Sequence, residues 1–317
     1  MSGKVASRQD AWRSYWATGN LHSCVTSYDG NYSGAIAGFW VRAFAGLPEH
    51  SKVLDLATGN GAIPKLLYDL KGDSVSIDAV DATQIAPRWH SPIDHAKIHF
   101  RSGVWMERLP YADAAFECVC SQFGIEYAER PAAWLEALRV LKSDGQLHCV
   151  VHHQDSILTN IAAQEEAHCA WLVGDDGLLQ AAIRLAPWLL RVRRGELPPQ
   201  PGDDADNARM RFNQAQEGLA NRIQKGGTLD LLLQARVQVQ GILAHALDPM
   251  EALSQYGRQL SQAQLRCSEL VQCAMTCDEV SALGDWIKSA RANATLRVEE
   301  LRQAEGLLAW GLSMTSD

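Results

Sequence analysis

The chain has 317 residues, of which 47% are hydrophobic, and its formal net charge is −8 at pH 7. A chain of this size can bury a full core in one enlarged domain or in two. An acidic chain lacks the basic footprint of general nucleic-acid binding, so we expect no nucleic-acid partner. No apolar run approaches the roughly 20 residues that cross a bilayer, so we also expect no membrane span.

The eight cysteines are scattered along the chain. Several histidines and cysteines fall between residues 148 and 169, but they lack the paired spacing that structural zinc sites use. We therefore expect no metal site. With no signal-peptide pattern ahead of the cysteines, we expect reduced thiols in a cytoplasmic protein.

Residues 1–50 are rich in aromatic side chains and precede the first predicted strand. Trp12, Tyr15 and Trp16 lie at helical spacing, and a second helix is predicted over residues 33–44. This aromatic stripe either packs against the sheet or folds over the sheet edge as a lid. Because aromatic faces attract cations, a lid of this kind suits a positively charged ligand.

Residues 53–56 are typical of a short buried strand, since three of the four are apolar and two glycines follow at once. Asp55 is the exception, and a buried carboxylate is costly unless it meets a loop amide or a ligand group. Gly59 and Gly61 suit a loop whose backbone approaches a bound molecule closely. A helix is predicted from about Ile63.

Three further segments follow this loop along the chain. Asp81 ends the strand-like run of residues 76–80, residues 116–123 form another predicted strand, and residues 138–145 form a turn. In this order the four segments resemble the class I S-adenosylmethionine (SAM)-dependent methyltransferases. Residues 122–127 are similar to the ubiquinone/menaquinone type.

The resemblance covers about residues 51–153 and 278–314 and implies an α/β fold. We expect a Rossmann-like, seven-stranded mixed sheet with a C-terminal β-hairpin and a large helical insertion. The predicted domains are an N-terminal aromatic lid (1–50), a SAM-binding core (51–153), a helical insertion that caps the pocket or dimerises (154–277), and a last helix with the hairpin (278–317).

The resemblance also implies SAM as the cofactor. The family's usual adenine-binding Asp is absent after the third strand, so adenine would contact backbone amides or pack on Val104 or Trp105. The expected cofactor contacts are Asp55, Ala57, Thr58, Gly59, Asn60, Gly61, Asp81, Ala82, Thr83, Gly103, Val104, Trp105, Ser121 and Gln122. The expected substrate contacts are Trp16, His22, Tyr28, Asn31, Tyr32 and Phe123.

An acidic acceptor needs at most one base, and histidine suits that task because its pKa lies near neutrality. His152 and His153 follow the fifth predicted strand, where ligands bind in open α/β sheets. Only one of two adjacent strand residues can point into the pocket. We predict that one of them is the base, with His22 as the next candidate. Alternatively, both are ordinary polar residues at a strand end.

We predict a SAM-dependent methyltransferase that O-methylates a small, partly apolar metabolite. Two alternatives stay open, namely methylation of RNA or protein, and a SAM-binding partner without catalysis. A closed pocket would favour a small molecule, an open basic groove a macromolecule, and a blocked methyl channel the non-catalytic partner. Apolar stripes at residues 229–233 and 237–247 predict a homodimer through the insertion.

Overall fold

A computed structural model describes residues 2–23, 30–196 and 204–316 of the chain. Tyr28, which we predicted near the substrate, lies outside these residues. The chain divides into two compact units. The core unit is Met1–Asn160 with Glu269–Asp317, and the helical unit is Ile161–Ser268. The four-part domain division predicted from the sequence stays a prediction.

The core unit is built on a mixed sheet that has seven strands in the described part of the chain. The strands are β1 (Lys52–Leu56), β2 (Ser76–Asp81), β3 (Ile98–Ser102), β4 (Phe116–Gln122), β5 (Leu141–His152), β6 (Ala294–Gln303) and β7 (Gly306–Ser316). Their order is β3-β2-β1-β4-β5-β7-β6, and β1 to β5 are parallel. β7 runs antiparallel between β5 and β6. The predicted fold class and the C-terminal hairpin are confirmed.

The central strands are buried on both faces, as parallel strands covered by helices must be. Val53 of β1 belongs to the apolar cluster on one face, whereas Leu54 and Leu56 belong to the cluster on the other. Phe39 and Trp40 fill the first cluster, and Trp134 fills the second. The alternation of strand side chains therefore places the ends of β1, β2 and β4 between two packed layers.

Helices cover this sheet and form the helical unit. They are α1 (Ser2–Ala17), α2 (Gly34–Ala45), α3 (Ala62–Lys71), α4 (Ala132–Val140), α5 (Ile157–Val173), α6 (Leu178–Arg193), α7 (Asp204–Gln224), α8 (Asp230–His245), α9 (Pro249–Cys273) and α10 (Cys277–Ala290). α10 begins with a reciprocal capping box between Thr276 and Glu279, which satisfies two exposed N–H groups. This cap fixes the start of α10 within the core unit.

The helical unit has an apolar core of its own. Leu232, Ala235, Val239 and Leu243 of α8 recur at helical spacing and are all buried within that core. Much of the apolar stripe that we predicted on this helix is therefore used inside the unit. No helix among residues 2–23, 30–196 and 204–316 is long and apolar enough to cross a membrane.

Arg291, which follows α10, provides a test of how the core unit is held together. Its guanidinium donates to the carbonyl oxygens of Leu138, Leu141 and Lys142 at 2.7–2.8 Å, where α4 ends and β5 begins. Removing these donors leaves helix-terminal carbonyls unsatisfied, so we expect Arg291→Ala to cost about 2–4 kcal/mol. The thermal midpoint should fall by several degrees.

Arg291→Lys is the matched control, because an ammonium keeps the charge but cannot reach three carbonyls with a planar fork. We expect an intermediate midpoint for this variant. An unchanged midpoint in Arg291→Ala, measured by circular dichroism, would contradict a supporting role for this side chain.

Candidate functional site

Two neighbouring cavities lie in the core unit, at the ends of β1, β2 and β4. The larger has a volume of about 110 Å³ and is lined by Arg8, Gln9, Trp12, Trp16, Ala57, Asp81, Ala82, Thr83, Trp105, Met106, Glu107, Phe123, Gly124, Tyr127 and Ala128. The smaller, of about 30 Å³, is lined by Trp12, Trp16, Leu21, His22, Ser23, Tyr32, Asp55, Ala57, Thr58, Ala62, Ile63, Gln122 and Phe123. The two share Trp12, Trp16, Ala57 and Phe123. Ligands of open α/β sheets bind at this edge.

The glycine loop after β1 adopts a backbone that ordinary side chains resist. Ala57, Gly59 and Gly61 have φ angles of 53°, 53° and 80°. A Cβ at Gly59 would also lie 2.5 Å from the Trp16 ring, so the loop needs glycine there for two reasons. Thr58 fastens the loop, because its N–H donates to the Val80 carbonyl at 3.0 Å.

Asp81, the last residue of β2, joins this loop to the next one. Its Oδ2 accepts the Gly59 N–H at 2.9 Å. Its Oδ1 accepts both the N–H and the hydroxyl of Thr83, at 2.8 and 2.7 Å. Burial raises the pKa of Asp81, and the hydrogen bonds from Thr83 and Gly59 oppose that shift. The carboxylate therefore fixes two loops while it lines the larger cavity.

Asp55 lies on the wall of the smaller cavity with part of its hydrogen-bonding capacity unused. Oδ1 accepts the Cys120 thiol at 3.5 Å, whereas Oδ2 is buried and has no well-aligned hydrogen bond, although the nearby Thr58 hydroxyl interacts with the carboxylate. Burial raises the pKa of Asp55 to about 7; the adjacent Thr58 and Cys120 side chains oppose this shift, and the charge of Asp81 adds to it. A buried acceptor without a partner is costly, and a cationic ligand group would satisfy it.

Gln122, at the end of β4, presents a hydrogen-bond donor on the wall of the smaller cavity. Its Oε1 accepts the Trp40 indole N–H at 2.5 Å, which orients the amide. Nε2 is then a buried donor that meets no acceptor among the described residues, and Oγ1 of Thr58 is likewise without a well-aligned partner. The smaller cavity thus offers an anionic acceptor beside neutral donors, which fits a ligand that carries both charges.

α1 covers both cavities with two tryptophans. Trp12 and Trp16 are stacked, with ring centroids 5.8 Å apart. At one end of the helix, Nδ2 of Asn60 donates to the Trp16 carbonyl at 2.9 Å. Toward the other end, Arg8 pairs with Glu269 at 3.0 Å. The aromatic stripe predicted in this region therefore lies directly over the glycine loop.

The predicted substrate residues that follow α1 differ in whether they line a cavity. His22 and Tyr32 stack with centroids 4.5 Å apart and line the smaller cavity. Nε2 of His22 donates to the Gly30 carbonyl at 3.0 Å, and burial lowers the pKa of this imidazole. Asn31 lines neither cavity; its Nδ2 donates instead to the Ala62 carbonyl, at 2.8 Å, in the first turn of α3.

His152 and His153, the predicted bases, are not among the described residues that line either cavity. The His152 ring stacks on Phe123, with centroids 4.1 Å apart. The His153 ring stacks on Trp310, with centroids 4.2 Å apart, and its Nδ1 accepts the Asp155 N–H at 2.9 Å. Both imidazoles are thus packed against aromatic rings, and a role as base stays a prediction.

The other predicted cofactor residues also divide into those that line a cavity and those that do not. Ala82, Thr83 and Trp105 line the larger cavity. Gly59, Asn60, Gly61, Gly103, Val104 and Ser121 line neither; Ser121, for example, uses its hydroxyl to bond the Leu56 carbonyl and the Ile125 N–H, at 3.1 and 3.0 Å. Sequence reasoning missed twelve lining residues, namely Arg8, Gln9, Trp12, Leu21, Ser23, Ala62, Ile63, Met106, Glu107, Gly124, Tyr127 and Ala128. The helical spacing of Trp12 with Trp16 was the one signal available.

The described residues contain no candidate metal-binding site. Within the described ranges, no three His, Cys, Asp or Glu side chains are placed to hold a metal ion.

Residues 54–149 match a family model described as a methyltransferase domain. No curated protein matches the chain. A SAM-dependent methyltransferase of Aquifex aeolicus is similar over 45% of this chain and 74% of that one, with 18% identity and a TM-score of 0.37. A complex of the Haloferax volcanii Trm112 methyltransferase activator with a methyltransferase gives 50% and 66% coverage, 20% identity and a TM-score of 0.38.

The 1,6-didemethyltoxoflavin-N1-methyltransferase of Burkholderia thailandensis, with its substrate and S-adenosylhomocysteine bound, is 16% identical over 49% of this chain and 65% of that one, with a TM-score of 0.39. The chain thus spans about two thirds to three quarters of the lengths of these structures. At such TM-scores, none of these likenesses bears on the acceptor of this protein.

The matched segment and the strand order, with β7 antiparallel between β5 and β6, define a class I methyltransferase domain. This chain carries the domain of a SAM-dependent methyltransferase enzyme, and SAM is the cofactor of that domain.

The buried carboxyl of Asp55 generates a prediction on stability. Its pKa is about 7 in the folded protein, whereas an unfolded chain ionises the same group near pH 4. The folded state therefore holds more protons between these pH values, and the free energy of unfolding falls as pH rises through this window. Asp55→Asn replaces the ionisable carboxyl with a neutral amide, so the variant does not lose this part of its free energy of unfolding as the pH rises. We expect it to raise the thermal midpoint of the cofactor-free protein at pH 8 by several degrees, and by much less at pH 5.

Scanning calorimetry of both proteins at the two pH values measures this difference, and the comparison at pH 5 serves as the internal control. Equal midpoints at pH 8 would contradict the assignment of an elevated pKa to Asp55.

Proposed function

We propose that the protein transfers the methyl group of SAM to oxygen of a small, partly apolar metabolite, in the cytoplasm. One observation carries this proposal. The smaller cavity presents a buried carboxylate oxygen of Asp55 and a buried amide donor of Gln122, both unsatisfied, beside the glycine loop. These groups complement the ammonium and carboxylate of a methionine moiety.

SAM supplies an activated methyl group on a positively charged sulfur. On this proposal Asp55 faces the ammonium, and Gln122 and Thr58 donate to the carboxylate. Asp81 accepts the ribose hydroxyls in the larger cavity, and Trp105 packs on the adenine. The lining and the hydrogen-bonding capacity of these side chains support each assignment.

The walls shared by the two cavities support a small acceptor. Trp12, Trp16, Ala57 and Phe123 are apolar, so they offer a surface that can hold and align a partly apolar acceptor. His22 is the histidine on the wall of the smaller cavity, and its neutral imidazole suits the removal of an acidic proton. On this geometry we favour His22 over His152 and His153 as the base.

Two other functions stay open as alternatives, namely methylation of RNA or protein, and cofactor binding without catalysis. The cover that α1 places over the cavities favours a small molecule over a macromolecule. A screen of a metabolite library with methyl-labelled SAM tests this choice, and it also tests the ubiquinone/menaquinone subclass. Label that enters a small molecule supports the proposal, whereas label that enters RNA or protein alone contradicts it.

Thr58 offers a conservative test of the cofactor site. Thr58→Val keeps the volume of the side chain and removes a hydroxyl that we assign to the charged methionine end. One hydrogen bond to a charged group is worth about 1.5–3 kcal/mol, so the Kd for SAM should rise roughly tenfold to a hundredfold. Titration calorimetry with SAM and with S-adenosylhomocysteine measures the loss for both ligands.

Thr295→Val is the matched control, because Thr295 is exposed on the edge strand β6. We expect this variant to bind like the wild type. An unchanged Kd in Thr58→Val would remove Thr58 from the site, and a wild-type protein that binds neither ligand would refute the proposed function.

We also propose a homodimer through the helical unit. Leu233 and Val237 lie one turn apart on α8 and are 43% and 68% exposed, although Leu232, Ala235, Val239 and Leu243 of the same helix are buried. Light scattering across a range of concentrations should give about twice the chain mass of 34.8 kDa. Val237→Glu should shift the species to a monomer, with Asn221→Glu on the exposed side of α7 as the control. A wild-type monomer at every concentration would contradict the proposal.

A further inference from the structure

Phe123 lines both cavities and has a strained backbone. Its φ is 51°, in the left-handed region that a bulky side chain rarely adopts. Strain of this kind persists where the surroundings over-determine it, and it concentrates at functional sites. The Phe123 N–H donates to the Val150 carbonyl at 2.8 Å, which fixes the backbone but leaves the ring to be held by other contacts.

His152 makes one of those contacts, and the Tyr32 ring makes another, with a centroid distance of 6.2 Å. The His152 imidazole lies nearly parallel to the Phe123 ring, with a centroid distance of 4.1 Å and an angle of 22° between the planes. The edge of the same imidazole meets the Tyr127 ring, which lines the larger cavity, at 5.8 Å. One histidine thus supports two aromatic residues of the cavity wall.

Glu126 in turn fixes His152. Its Oε1 accepts Nδ1–H of the imidazole at 2.8 Å and the backbone N–H of the same residue at 3.0 Å. Both side chains are almost fully buried, so this is a charge-assisted bond shielded from water. The two bonds converge on one oxygen, and together they set the plane of the ring that stacks on Phe123.

We infer that Glu126 and His152 are positioning residues, which hold the Phe123 ring against the sulfonium of bound SAM. This inference rests on the proposed function. With adenosine in the larger cavity and methionine in the smaller, the sulfonium falls where the cavities meet, beside Phe123. An aromatic face attracts this cation more strongly than the neutral sulfur of the demethylated product. The pair therefore sets the preference for SAM over S-adenosylhomocysteine.

The test compares two double variants by titration calorimetry with SAM and with S-adenosylhomocysteine. Both carry Glu126→Gln, because a carboxylate left without its histidine would be a buried, unpaired charge. The first adds His152→Phe, which keeps a flat ring against Phe123, and the second adds His152→Ala, which removes it. Phe123→Leu, with the pair intact, removes the cation-binding face directly.

We expect the His152→Phe double variant to keep the wild-type ratio of the two Kd values. The His152→Ala double variant and Phe123→Leu should each lose about 2- to 30-fold of the preference for SAM. His99→Ala is the control: this imidazole is exposed on β3, so the ratio should stay unchanged.

Thermal midpoints establish that each variant is folded. A folded His152→Ala double variant with the wild-type ratio overturns the inference, and so do equal losses in the two double variants, because ring stacking is then not the cause. If the His152→Ala variant does not fold, a wild-type ratio in Phe123→Leu overturns it equally. A wild-type protein that binds neither ligand instead refutes the proposed function.

Discussion

The rest of the site depends on the carboxylate of Asp81. It accepts one hydrogen bond from Gly59 and two from Thr83, and it thereby joins the loop after β1 to the loop after β2. Parallel strands bring these loops together but supply no backbone bonds between them beyond the last residue of each strand. A buried acceptor with several donors fills that gap. The left-handed backbone at Gly59 is stable because this carboxylate receives its N–H.

The fold was predicted from the resemblance to class I methyltransferases, and short sequence patterns carried that resemblance. The short apolar run before Gly59 predicted β1, and the alternating residues near the C-terminus predicted the hairpin of β6 and β7. Each of these features is set within a few residues of the chain. The adenine-binding Asp expected after β3 is absent from the sequence, and Trp105 from the segment that replaces it lines the larger cavity.

The candidate site was harder to predict because its walls combine segments that are distant in sequence. Arg8 reaches the larger cavity because an ion pair with Glu269 holds it, across more than two hundred residues. His152 was predicted to follow β5 directly and is instead the last residue of that strand, and the direction of its ring is set by Glu126 and Phe123, which no local pattern encodes. The sequence thus predicted that these histidines lie at a strand end, but it did not predict the contacts that determine their roles.

Trp16 lies so close to Gly59 that a Cβ there would be 2.5 Å from the indole, and Asn60 ties the same end of α1 to the glycine loop. In the proposed function, a cofactor seated on the glycine loop therefore lies beneath Trp16 of α1. Release of a tightly covered product is a common rate-limiting step in enzymes with lids. If release from beneath α1 limits turnover, the spent cofactor and SAM compete for the same covered site.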